Sequence, residues 1–138
     1  MMYGQNKAAA QYRAVRSHGL VADASPTRLV QVMFEHILSH LATARGCMGR
    51  IKGNRPLNEV VAKGKAISKT LALLGQLSGT LDMERGGQVA QNLRALYEYM
   101  MNRLALANGT NDVTIVAEVS ALVEEIKSGW DQIVSDER

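Results

Sequence analysis

Apolar side chains recur at spacings of three, four and seven residues in four stretches of this chain, separated by short polar or glycine-containing breaks. In the first stretch Val30, Ile37, Ala44 and Ile51 fall seven apart, and Phe34, Leu41 and Met48 form the adjacent row. Two such rows side by side mark an amphipathic helix whose stripe must be buried against other helices. Ser25-Pro26 is a natural start, with serine as N-cap and proline in the first turn, and Gly49 and Gly53 mark the exit. The second stretch follows Pro56, with Val60, Ile67, Leu74 and Leu81 as its row and Leu57, Gly64, Leu71 and Ser78 beside it. The small residues Gly64 and Ser78 predict close approach of a neighbouring helix, and Gly79 predicts the end. The third begins around Gly86-Gly87, runs through Ala90, Leu93, Tyr97, Met100, Leu104 and Ala107, and is predicted to stop at Asn108-Gly109. The fourth starts near the capping residues Asn111-Asp112 and carries Val116, Val123 and Trp130 beside Val119, Ile126 and Ile133.

No stretch shows a sustained period of two, so β-structure is not expected. Helices of about 20 to 25 residues are roughly 30 to 37 Å long at 1.5 Å per residue. Long helices joined by short links must run antiparallel to their neighbours. The expected fold is therefore all-α, an antiparallel up-down-up-down four-helix bundle over residues 25–138. Residues 1–24 differ in character. Lys7 to Val15 has helical propensity, with Ala8, Tyr12 and Val15 on one face, before Ser17-His18-Gly19 breaks it. A helix so short is marginal alone, which predicts a docked N-terminal helix or a mobile arm.

At 138 residues the chain has the length of one domain, and 46% hydrophobic against 21% charged residues excludes wholesale disorder. Aromatics at 4% argue against a base-stacking surface. The lone Cys47 permits no internal disulfide and offers no cysteine pair for zinc. The net charge of +3 is unevenly spread: residues 1–55 hold eight basic against two acidic groups, whereas the chain from Asn111 holds two against seven. A basic front half admits a nucleic-acid or acidic partner, but no consecutive basic run exists. Arg45, Arg50, Lys52 and Arg55 read instead as cations decorating a helix end and its loop. No apolar run reaches the length of a signal peptide or a membrane span, so a cytoplasmic protein without membrane insertion or nucleic-acid partner is expected.

Candidates for chemistry are few. His36 and His40 lie four apart, a spacing that suits a metal, but no third ligand follows and the metalloprotease glutamate is missing. A histidine phosphotransfer domain would share this size and architecture and is the alternative function. It needs an exposed histidine with a basic neighbour, and neither has one within a helical turn. Gly86-Gly87 lacks the strand and the Lys-Ser/Thr of a phosphate-binding loop and reads as a tight turn. Cys47 reads as a core thiol. No enzyme, cofactor or metal is expected. What stands out is surplus apolar surface: Leu29 and Val32 beside the first stripe, Leu73 and Leu77 beside the second, Leu96, Tyr99 and Leu106 beside the third. Periodicity alone admits two explanations, a wide core or a groove for a partner's amphipathic helix.

One stretch carries a resemblance. Leu81-Asp82-Met83-Glu84-Arg85-Gly86-Gly87-Gln88-Val89-Ala90, followed by Asn92-Leu93, Leu96-Tyr97-Glu98-Tyr99-Met100, Leu104 and Ala107-Asn108, resembles the signature of the FliS family of flagellin-specific export chaperones. Tyr12, Ala24-Ser25-Pro26 and Leu29 resemble that family's N-terminal motif, and Glu118-Val119, Leu122 and Trp130 its last helix. The likeness covers residues 8 to 133. Met33-Phe34-Glu35-His36 departs from the family's common Leu-Tyr-Asp-Gly: the ring stays, the hydroxyl goes, and a bulky histidine replaces a small residue.

The resemblance implies a non-catalytic helical bundle that binds the C-terminal segment of flagellin in the cytoplasm. Binding keeps that segment from polymerising early and assists delivery to the type III export gate, whose components would be further partners. It implies that Tyr12, with Val15, covers part of the groove when no client is present. The partner-binding residues expected from motif and helical wheel together are Tyr12, Val15, Leu29, Leu73, Leu77, Leu96, Tyr99 and Leu106. A monomer and a weak homodimer both fit.

Overall fold

The four apolar stretches become four helices in the computed structural model, which describes residues 25–53 and 56–136. They are α1 (Pro26–Arg50), α2 (Leu57–Gly79), α3 (Gly87–Thr110) and α4 (Val113–Asp136), with no strand among the described residues. The expected N-terminal helix or arm, with Tyr12 and Val15, lies outside them.

Local chemistry sets most of the boundaries. Ser25 caps α1, its Oγ accepting from the Arg28 backbone N–H at 3.2 Å, and Pro26 occupies the first turn. The end of α2 falls at Gly79, where the Thr80 hydroxyl donates to the Leu77 carbonyl at 2.8 Å. At the start of α4, Asp112 Oδ1 accepts from the Thr114 backbone N–H at 3.0 Å, and hydrogen bonding to Thr114 holds the Asp112 carboxyl below the usual range. Asn108-Gly109 does not end α3. The helix runs on to Thr110, and Asn111 takes the left-handed conformation, φ 54°. Tertiary bonds explain the shift: Asn111 Nδ2 donates to the Met48 carbonyl at 3.4 Å while Asn111 Oδ1 accepts from Lys63 Nζ at 3.3 Å.

Bonds between helices establish the up-down order. The start of α1 meets the end of α4, where Trp130 Nε1 donates to the Thr27 carbonyl at 2.7 Å and Gln31 donates to Asp131 at 2.6 Å. The end of α1 meets the start of α2 through Arg50 and Glu59, 2.7 Å apart. Lys63, early in α2, donates to the Asn108 carbonyl late in α3 at 3.0 Å. Tyr99 and Arg103 reach Glu118 on α4. The helices thus form a ring, α1–α2–α3–α4, in which the α1–α2 seam is the most extensive and the α3–α4 seam the thinnest.

The heptad rows are the core. Val30, Ile37, Ala44, Phe34, Leu41 and Met48 on α1 close against Ile67 and Leu74, Tyr97, Met100 and Leu104, and Val116, Val119 and Val123. Each such large side chain contributes about 1.5–3 kcal/mol by leaving water. Burial is lopsided: α1 hides ten residues, α3 and α4 five each. Ile133 departs from expectation, standing 47% exposed. Trp130 is already level with Thr27, so Ile133 lies past the first turn of α1. Gly64 departs too. A Cβ there would meet nothing within 4 Å, so Gly64 opens a space rather than admitting a close helix.

The Leu81–Ala90 stretch owes its composition to the α2–α3 turn. Asp82 Oδ1 accepts from the backbone N–H of Glu84 and of Arg85, each at 3.1 Å, and the Asp82 carbonyl accepts from Gly86 N–H at 2.8 Å. A Cβ on Gly86 would collide with the Ala90 Cβ and come within 2.7 Å of the Asp82 carbonyl, and Gly87 sits at φ +54°. The tight-turn reading of the two glycines therefore stands. Gly86→Val is expected to lower stability by about 1–3 kcal/mol through overpacking, read as an earlier urea midpoint at unchanged slope.

Candidate functional site

The predicted partner-binding residues separate into three groups. Leu29 and Leu77 belong to the core, which corrects their placement on a groove: both pack within the buried cluster and present no surface to a partner. The wheel misplaced them because the α1–α2 seam is wider than a two-row stripe. Leu73 is half-buried on the edge of α2 that faces α1, one turn beyond Lys69, whose charge is felt by His40. Leu96, Tyr99 and Leu106 lie on α3, and this group alone faces solvent as an apolar stripe.

That stripe runs along the rim of the thinnest seam. Leu96 is half-buried against the core, while Tyr99 and Leu106 are 43% and 48% exposed. With Arg103 they recur at steps of three and four, a line of about 15 Å at 1.5 Å per residue. Polar bonds hold it in place. The Tyr99 hydroxyl donates to Glu118 Oε2 at 2.8 Å, and Arg103 Nε donates to Glu118 Oε1 at 3.2 Å. These two bonds keep the Glu118 carboxyl below its ordinary range, and the same carboxylate raises the Tyr99 phenol. The tyrosine tip is therefore tied to α4 while its ring stays open to an apolar partner. Four residues beyond Glu118, Leu122 is half-buried against the core on the α3-facing side of α4. Wheel reasoning on α3 alone missed Leu122, Arg103 and Glu118, although the Glu118…Leu122 spacing was visible.

Elsewhere the described residues offer little chemistry. The rings of His36 and His40 are 6.2 Å apart, and no group of three or more histidine, cysteine or acidic side chains among the described residues is placed to hold a metal. Burial first, then Lys69, lowers the His40 pKa, so the basic neighbour absent from its own helix arrives from α2. Cys47 is buried beside Arg50, whose Nη2 lies 3.7 Å from Sγ, and burial pushes its thiol up. Phe34 is fully inside the core, where the hydroxyl of a tyrosine would demand a partner. No helix among the described residues is long and apolar enough to cross a membrane.

Residues 8–137 match the family model described as flagellar protein FliS. The chain belongs to the FliS family. It is 46% identical over 127 residues to the flagellar secretion chaperone FliSB of Pseudomonas aeruginosa, covering 92% of this chain and 95% of the relative. The flagellar secretion chaperone FliS of Salmonella typhimurium is 37% identical over 123 residues, 88% of this chain and 86% of the relative. That of Vibrio cholerae is 34% identical over 122 residues, with 88% and 85% covered. These FliS proteins are named as chaperones, not as enzymes, and the helical bundle of this chain accords with that family.

Proposed function

We propose that this chain is a cytoplasmic flagellar secretion chaperone that holds the C-terminal segment of flagellin, prevents its premature polymerisation and assists type III export. The solvent-facing stripe of Leu96, Tyr99 and Leu106 on α3 carries this reading. An amphipathic client helix lays apolar residues at steps of three and four into such a surface. Glu118 holds the Tyr99 ring in position before the client arrives, which lowers the ordering cost of binding. A client that folds as it binds spends part of its interaction energy on ordering, so the complex stays reversible, as cargo release requires. Leu73 and, through the family motif, Tyr12 and Val15 are further contacts of this reading.

Full-length flagellin is expected to co-purify with the chain in a pull-down, and flagellin lacking its C-terminal tail is not. Leu106→Ala and Tyr12→Ala are each expected to weaken binding about tenfold, near 1.4 kcal/mol, with helicity by circular dichroism unchanged. Equal capture of the tail-less flagellin would overturn the assignment of the client segment. Loss of helicity in Tyr12→Ala would make that residue structural.

A further inference from the structure

At the end of the bundle where α1 passes to α2 and α3 to α4, a cavity of about 350 Å³ opens beside Ile51, Val60, Lys63, Gly64, Gly109 and Asn111. It holds a buried cation. Lys63 is only 5% exposed, and Nζ donates to the Asn108 carbonyl and to Asn111 Oδ1. Glycine makes the room: a Cβ on Gly64 or Gly109 would meet nothing within 4 Å. Nearby acids are engaged, Glu59 with Arg50 at 2.7 Å and Asp112 with Thr114, while Lys52 stands exposed next to the lining residue Ile51. The rim is apolar. Leu57 and Val61 are 75% and 47% exposed on the same edge of α2 as Gly64, at positions i, i+4 and i+7.

A cation in a recess, an apolar shelf beside it and space for more than one carboxylate together specify an occupant. We infer that this cavity is a second docking site, taking an acidic side chain of a peptide segment at Lys63 with that segment's neighbouring apolar side chain on Leu57 and Val61. Positive charge with little exposure to water attracts a carboxylate more strongly than a surface lysine does. The site is separate from the α3 stripe, because Asn108 turns toward α2 whereas Tyr99 and Arg103 turn toward α4. A partner of this chemistry would hold the bundle by its loop end and leave the stripe free.

The test is an amide-shift titration of the ¹⁵N-labelled full chain with a capped peptide of alternating glutamate and leucine, beside its glutamine counterpart. The glutamate peptide is expected to shift Gly53, Val60, Gly64 and Gly109 saturably, at least tenfold more tightly than the glutamine peptide, and less tightly as salt rises. Gly64→Leu fills the cavity while improving helix propensity, so it is expected to abolish the shifts with helicity and Tm preserved. Equal binding of both peptides, indifference to Gly64→Leu, or shifts gathered on Leu96, Tyr99 and Leu106 would overturn the inference.

Discussion

Phe34→Ala is expected to cost about 3–5 kcal/mol, the largest single effect in this protein. Phe34 is the bulkiest of the fully buried side chains and stands on α1, the helix that hides ten residues and bonds to both of its neighbours in the ring. Removing the ring loses its transfer energy and leaves a cavity walled by well-packed neighbours that relax only in part. Chemical denaturation of the variant should show an earlier midpoint at nearly unchanged slope. Leu57→Ala, on a residue 75% exposed, should stay within about 0.5 kcal/mol of the parent. Comparable losses at the two positions would mean that the core is not where the heptad rows place it.

Lys63→Met is expected to cost about 2–3 kcal/mol despite keeping most of the side-chain volume. The ammonium ties α2 to the last turn of α3 through the Asn108 carbonyl and to the α3–α4 junction through Asn111 Oδ1. A thioether leaves both oxygens buried with one fewer donor, and each unsatisfied group costs about 1–3 kcal/mol. The cation also lies where the carbonyl end of the α3 dipole favours positive charge. Asn111→Gly is an informative companion. Glycine relieves the left-handed backbone, φ 54°, yet forfeits the bonds to Met48 and Lys63, and a net loss is expected. Hydrogen exchange at residues 108–114 should speed up in both variants. A Lys63→Met protein as stable as the parent would refute the bridging role.

Element type was legible because the apolar period is unbroken over each helix and the caps, Ser25, Gly79 and Asp112, act through neighbours in sequence. The end of α3 was not, since Asn111 is chosen over Asn108-Gly109 by bonds to Met48 and Lys63, 63 and 48 residues away. The same distinction runs through the candidate site. A helical wheel flags Leu29 and Leu77 as surplus, but whether a flanking position faces water depends on how widely two helices overlap. On the α1–α2 seam that overlap swallows both. On the thin α3–α4 seam it leaves Tyr99 and Leu106 outside. The Glu118 bridge and the Lys69–His40 proximity join residues from different helices and have no signature in local spacing.

The position of Cys47 has a practical corollary. A lone sulfhydryl shut inside the α1–α2 seam, its ionisation suppressed by its surroundings, is out of reach of maleimides while the helices stay together. Alkylation then proceeds only as fast as that seam parts. The natural chain thus carries its own clock for opening, readable by mass spectrometry without any engineered label.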